Sequence, residues 1–190
     1  MTDTEKTFWD DFCRLHKEMK KIYILSEEHS KDFSCILQPI KEQRDALDHI
    51  VRAYSRIIDG SDAEADASYI EKNLSKAKGH LYRAYYDTAD IFTIILREKI
   101  ADYLSLFSYK QIISAWDKEE YNKEREYLIK VNKEIAELRI KKDVIETERE
   151  REEVFSQYSR IIKHLFKLYE LVLLEIYPML AEKVGEDFAT

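Results

Sequence analysis

Turn-forming residues are scarce in this chain. Only three glycines and two prolines occur among its 190 residues, whereas average usage would supply about four times as many. Because glycine and proline mark most turns, the connections must be few and the elements between them long. Charged residues make up 36% of the chain and hydrophobic residues 45%, a mixture typical of amphipathic helices around a substantial core. We therefore predict a single all-α domain over residues 1–190, built as an antiparallel bundle of four to six long helices.

The first two helices follow from apolar spacing and from proline. An apolar stripe with steps of three and four residues predicts helix one over about residues 4–25; its members are Phe8, Phe12, Leu15, Met19 and Ile22. Pro39 suits the first turn of helix two, because the missing N–H group is not needed there. We expect helix two to span about residues 39–59 and to stop at Gly60.

The third helix is predicted from a loop and a cap. Small and acidic residues at 60–67 interrupt the apolar pattern and predict a loop. Ser68 and Glu71 then form a capping-box pattern, which predicts the start of helix three. The apolar spacing continues to about Phe107, and a turn is expected over residues 105–110.

Residues 118–176 are compatible with two structures. Apolar residues with coiled-coil-like spacing lie on both sides of a charged segment, residues 146–153. A single helix of about 60 residues would be about 90 Å long. A hairpin near residues 141–150 would instead give two shorter helices, with Thr147 and Glu150 available as a capping box. We favour the continuous helix, with the charged segment protruding, because every residue in the run is a tolerable helix former.

Charge and cysteine content exclude several classes of function. The net charge of -7 and the pI of about 5.4 argue against a broad phosphate-binding surface. Cys13 and Cys35 match no metal-ligand or redox spacing, so we interpret both as reduced thiols. No apolar run approaches the roughly 18 residues that a membrane span requires, and no signal-peptide pattern is present. These features predict a cytoplasmic protein with no cofactor and no membrane association.

A short motif occurs twice, as HIVRAY at 49–54 and as HLYRAY at 80–85. In helix two the polar members share one face, which we expect to be exposed or turned toward a partner; they are Asp45, His49 and Arg52, opposite Leu47, Ile50, Val51 and Tyr54. Helix three carries a comparable stripe of Lys76, His80, Arg83 and Asp87. Antiparallel packing would bring both copies of His-x-x-Arg to one groove. That groove either binds a phosphate or carboxylate or is a polar seam between the helices.

The segment RDALDH, residues 44–49, resembles the motif of the HEPN superfamily of small helical bundles. Ribonuclease members of that family carry an arginine, often followed by a polar residue, and then a histidine after four to six intervening residues. Arg44, Asp45 and His49 fit this pattern. The resemblance covers six residues on one helix. It implies metal-independent RNA cleavage at a composite dimer site, with His49 in proton transfer and Arg44 stabilising the phosphate.

Helix-to-helix association is the function that most of the chain favours. The sequence has no glycine-rich phosphate loop and no paired helical metal motif. The heptad-like spacing from 121 to 176, together with the other amphipathic helices, is typical of association through helices. We therefore predict an interaction or assembly module that binds a protein partner, forms a homo-oligomer, or both. A HEPN-type ribonuclease, with RNA as its partner, is the alternative.

Overall fold

A computed structural model describes residues 3–30, 37–59 and 63–189, and every regular element in them is helical. The all-α prediction is confirmed. The helices are α1 (Asp3–His29), α2 (Leu37–Asp59), α3 (Ala63–Leu104), α4 (Tyr109–Ala115), α5 (Lys118–Lys142), α6 (Glu148–Leu171) and α7 (Tyr177–Ala189). A π-helical turn, Val172–Ile176, joins α6 to α7.

The chain divides into two compact units, residues 1–91 and residues 92–190. Helix α3 is continuous through the boundary and contributes residues to both units. Each unit has its own buried apolar residues and is described separately below. The prediction of a single domain stays a prediction.

The core of the first unit is built on the apolar stripe of α1. Phe8, Leu15, Met19 and Ile22 are buried, as the spacing predicted, and Phe12 packs at the margin. The small side chains of Ala53 on α2 and Ala77 on α3 lie in the same cluster as Phe8 and Leu74. Trp9 covers this cluster, and its indole Nε1 donates a hydrogen bond of 2.8 Å to the hydroxyl of Tyr54.

Helix α3 begins earlier than the sequence pattern predicted. It starts at Ala63, so Ser68 lies inside the helix and the predicted capping box at Ser68 is wrong. Residues 63–67 are helical as well, whereas the rest of the predicted loop, residues 60–62, lies outside the described residues. Alanine is the strongest helix former and acidic residues are favourable near a helix N-terminus. The alternating alanine and acidic residues therefore extend the helix instead of interrupting it.

The turn after α3 lies where it was predicted. Helix α3 ends at Leu104, and the short helix α4 begins at Tyr109. Ser108 caps α4 by accepting a hydrogen bond from the Gln111 N–H, and the Gln111 side chain accepts from the Ser108 N–H in return. The turn needs neither glycine nor proline because this reciprocal cap satisfies the first N–H groups.

Residues 118–176 form a helical hairpin, so the favoured continuous helix is wrong. Helix α5 ends at Lys142 and α6 starts at Glu148, after the capping box of Thr147 and Glu150. The turn lets the two apolar seams pack on each other, burying Val131, Ile135, Leu138, Phe155, Tyr158, Ile162 and Leu165. A continuous helix would have kept the backbone hydrogen bonds but separated these seams. Burial of apolar surface therefore outweighs uniform helix propensity here.

The π-helical turn accommodates a proline. Pro178 has no N–H group to bond to Leu174, four residues earlier, and its ring would crowd that carbonyl in a regular helix. The π-helical turn widens the backbone just before Pro178. There the Tyr177 N–H donates to the carbonyl of Val172, five residues earlier. Val172 and Ile176 remain buried, so the core of the second unit continues into α7.

The capping box should contribute measurably to hairpin stability. We expect Thr147→Ala to lower the free energy of unfolding by about 1 kcal/mol, because the Glu150 N–H loses its side-chain acceptor. Thr147→Ser keeps the hydroxyl and should behave like the parent. Urea denaturation followed by circular dichroism measures both. Equal loss in the alanine and serine variants would contradict a capping role for the hydroxyl.

Candidate functional site

A buried carboxylate connects α2 to α3 in the first unit. Glu42 on α2 is only 9% exposed. Its Oε2 atom accepts a hydrogen bond of 2.8 Å from Arg83 Nε and lies 2.9 Å from His80 Nδ1. Both of these residues come from α3, so the carboxylate fixes the rotation of one helix against the other. We call Glu42, His49, Asn73, His80 and Arg83 the histidine cluster.

The Nδ1 atom of His80 has two competing neighbours. Arg83 Nη2 lies 2.7 Å from it, and the Glu42 carboxylate lies on the other side. A ring nitrogen donates or accepts but does not do both. Donation to Glu42 is favoured, because a charge-assisted bond to a carboxylate is stronger than a neutral one. Nδ1 of His80 therefore carries a proton.

His49 is held by an amide of known orientation. The Asn73 Nδ2 group donates to the Tyr69 carbonyl at 2.8 Å, which leaves Asn73 Oδ1 to face His49 Nδ1 at 2.9 Å. Because an amide oxygen only accepts, Nδ1 of His49 carries the proton. The rings of His49 and His80 stack with centroids 5.2 Å apart. The two copies of the repeat therefore do meet, through their histidines.

The predicted orientation of α2 is only half right. His49 faces α3 and is partly buried, whereas the sequence pattern placed it with Asp45 and Arg52 on a face expected to be exposed or turned toward a partner. Leu47 and Val51, which the pattern placed on the face opposite His49, are exposed. Small residues explain the difference, since Ala46 and Ala53 are buried and allow α2 to approach its neighbours closely. Buried polar groups on α3 also need partners from α2.

The other predicted site residues are dispersed. Arg44 is 70% exposed and bonds to Asp45 at 2.7 Å. The hydrogen bond and charge of Arg44, together with the charges of His80 and Lys41, lower the pKa of Asp45. Arg44 therefore lies on the solvent side of α2 while His49 contacts α3, so the RDALDH residues do not converge within this chain.

Three further candidates are not members of the histidine cluster as defined above. Arg52 pairs with Asp48 at 2.6 Å on the exposed side of α2. On α3, Lys76 is exposed and Asp87 is partly buried. Of the eight predicted residues, only His49, His80 and Arg83 are cluster members, and Glu42 and Asn73 were missed. The signal for Glu42 in the sequence is its phase on α2, since Glu42, Ala46, His49 and Ala53 follow steps of four, three and four.

The opposite side of α2 carries an apolar surface. Four large side chains are exposed to 47%, 59%, 54% and 82% respectively: Ile40, Leu47, Val51 and Ile58. We call these four residues the outward row. Their spacing is heptad-like, and Leu37 at the start of α2 is exposed as well. A row of this kind along one helix face marks an interaction site more often than scattered single residues do.

The second unit has a groove beside the π-helical turn. A cavity of about 620 Å³ lies between α5, α6 and the turn, and its lining includes Trp116, Glu124, His164 and Leu174. His164 Nε2 lies 2.7 Å from Glu124 Oε2, and the centroids of the Tyr127 and His164 rings are 4.0 Å apart. Burial, reinforced by the charge of Glu134, raises the pKa of Tyr127 to about 12. These contacts satisfy His164 within the unit.

The comparisons with known proteins identify no relative. A scan against family models, a search of curated proteins and a search of solved structures each return no match. None of the helices in the described ranges is long and apolar enough to cross a membrane. Among the same residues, no three histidine, cysteine, aspartate or glutamate side chains are grouped to hold a metal ion.

We expect the histidine cluster to stabilise the fold. Glu42→Gln should lower the free energy of unfolding by roughly 1–3 kcal/mol, because Arg83 and His80 lose a buried acceptor that is charged. Glu126→Gln is the matched control, since Glu126 pairs with Lys130 at 2.7 Å on an exposed face, and it should change stability little. Chemical denaturation at neutral pH compares the three proteins. Identical curves for the parent and Glu42→Gln would exclude a structural role for the cluster.

Proposed function

We propose that this protein is a helical interaction and assembly module that associates through the outward row of α2. The single observation that supports this most is the exposure of Ile40, Leu47, Val51 and Ile58 along one face of one helix. The inner face of α2 is already used by the histidine cluster and by Ala46 and Ala53. When only the inner face of such a helix packs within its own unit, the apolar residues on the outer face stay uncovered.

The coiled-coil-like seam is not the surface for association. Its residues, which include Val131, Ile135, Tyr158 and Leu165, are buried within the second unit. The hairpin of α5 and α6 therefore uses this seam inside the chain. Association through helices needs another apolar face, and α2 has one.

The expected affinity is modest. Helix α2 has 23 residues. At 1.5 Å per residue and roughly 10 Å of width, one face of this helix offers a contact area on the order of 350 Å². Stable interfaces bury about 800 Å² on each partner. Each side chain of the outward row has about half of its surface left to bury, worth roughly 1 kcal/mol. We expect dissociation constants between about 10 µM and about 1 mM.

The exposed thiol of Cys13 supports placing this module in a reducing compartment such as the cytoplasm. The other cysteine, Cys35, lies outside the described residues. Reduced thiols were predicted for both. Prolonged exposure to oxidant would convert an accessible thiol such as Cys13 to intermolecular disulfides.

Disruption of the outward row tests the proposal. We expect the parent to self-associate with rising concentration in sedimentation velocity, and Leu47→Glu/Val51→Glu to remain monomeric because charges replace the apolar contacts. The matched control is Ile129→Glu/Ile140→Glu, since both residues are exposed in the second unit. The control should associate like the parent. A parent that stays monomeric up to about 1 mM would contradict self-association.

RNA cleavage is the second candidate function, and the histidine cluster is the observation that favours it. Two histidines with arginine nearby are a combination suited to acid–base cleavage of RNA. One imidazole would take the proton of the ribose 2′-hydroxyl as it attacks phosphorus, and the other would protonate the departing 5′-oxygen. The stacked rings, 5.2 Å apart, are nearly in van der Waals contact, so substrate would have to separate them.

A metal-free RNA assay separates the two candidates. The parent is incubated with mixed RNA in chelator, alongside Arg44→Ala/His49→Ala and His80→Ala, with helicity matched by circular dichroism. We expect no cleavage by any of the three proteins, because the rings are packed and Arg44 points away from them. Cleavage by the parent that disappears in the variants would replace the interaction module with a HEPN-like nuclease.

A further inference from the structure

The outward row has a symmetric spacing. Its residues stand at 40, 47, 51 and 58, so the intervals read the same from either end of α2. The midpoint of both the inner and the outer pair falls at position 49. An antiparallel copy of the same helix, centred there, therefore presents an identical row.

We infer that the outward row of α2 binds a second copy of itself, antiparallel, around a two-fold axis at the level of residue 49. This inference rests on the proposed function and names its partner. In this arrangement Leu47 packs against Val51 of the second copy, and Ile40 packs against Ile58 of the second copy. Each contact occurs twice, as an isologous interface requires.

Arg44 distinguishes antiparallel from parallel pairing. It occupies the position between Ile40 and Leu47 in the heptad, and its side chain is 70% exposed. Parallel helices would set Arg44 directly against Arg44 of the second copy, which is unfavourable for like charges. Around an axis at position 49, antiparallel helices set Arg44 at the level of Tyr54 of the second copy and beside Ser55 of the second copy, an exposed polar residue. Each copy therefore carries the charge of Arg44 beside its outward row, and only the antiparallel register keeps the two charges apart.

The flank of the outward row carries an ion pair on each copy. Asp48 and Arg52 form an ion pair of 2.6 Å with both side chains about half exposed. Around an axis at position 49, Arg52 and Asp48 of the second copy both lie two residues, about 3 Å along the helix, from Asp48. The order along this flank is then Arg52, Asp48, Asp48, Arg52, with residues of the two copies alternating. In a parallel pair this flank would face the opposite one, which carries Gln43 and Ile50.

Charge reversal tests the pairing directly. Asp48→Arg gives a flank with positive charges only, and Arg52→Asp gives one with negative charges only. We expect each variant to self-associate at least about tenfold more weakly than the parent, and an equimolar mixture to recover association as a heterodimer. Asp48→Arg/Arg52→Asp on one chain should associate like the parent. Circular dichroism confirms that each variant keeps its helicity, as exposed pairs contribute little to folding.

Cross-linking reports the orientation. In a background with Cys13→Ser and Cys35→Ser, Arg44→Cys and Ser55→Cys leave the outward row intact. We expect mild oxidation of their mixture to give the 44–55 disulfide, identified by mass spectrometry of the joined peptides, because the antiparallel register brings these positions within disulfide reach. Arg44→Cys alone should give little dimer.

The outcomes separate this inference from the proposed function. Self-association that Leu47→Glu/Val51→Glu abolishes, but with Arg44→Cys joined to itself or with no recovery in the charge-reversed mixture, would overturn the antiparallel pairing alone. A parent that is monomeric throughout, or association that the double glutamate variant leaves unchanged, would overturn both.

Discussion

The rotation of α2 depends on the carboxylate of Glu42. This group is nearly removed from solvent, so it needs donors, and the donors that it finds are Arg83 and His80 on α3. Once that contact forms, His49 turns inward to Asn73 and the alanines of α2 come into contact with the core. The large apolar side chains of α2 are then directed outward. One polar interaction thus sets both the histidine cluster and the exposed apolar surface.

The sequence predicts an amphipathic helix well when it has one apolar face. The stripe of α1 is such a case, and its four buried members were identified from spacing alone. Helix α2 has two candidate inner faces, one with large apolar residues and one with alanines, Glu42 and His49. Hydrophobic periodicity favours the first, but the partners of α3 select the second. The approach of the two histidines was foreseen, whereas the exposure of Leu47 and Val51 depends on tertiary contacts that spacing does not encode.

The hairpin shows the same competition between local and tertiary preference. Residues 143–147 contain no glycine or proline, and helix propensity alone would carry the chain through them. The cap at Thr147 makes a helix start available, and the match between the seams of α5 and α6 makes the turn favourable. The capping pattern was visible in the sequence. The free energy that decides between the two structures comes from burial of side chains far from the turn.

The two tryptophans of the chain give each compact unit its own optical reporter. Trp9 lies in the first unit with its indole bonded to Tyr54, and Trp116 is buried in the second unit beside Tyr121. Fluorescence from each indole responds to the polarity and packing of its own surroundings. Substituting one tryptophan at a time by phenylalanine would therefore let the melting of the two units be followed separately within the intact protein.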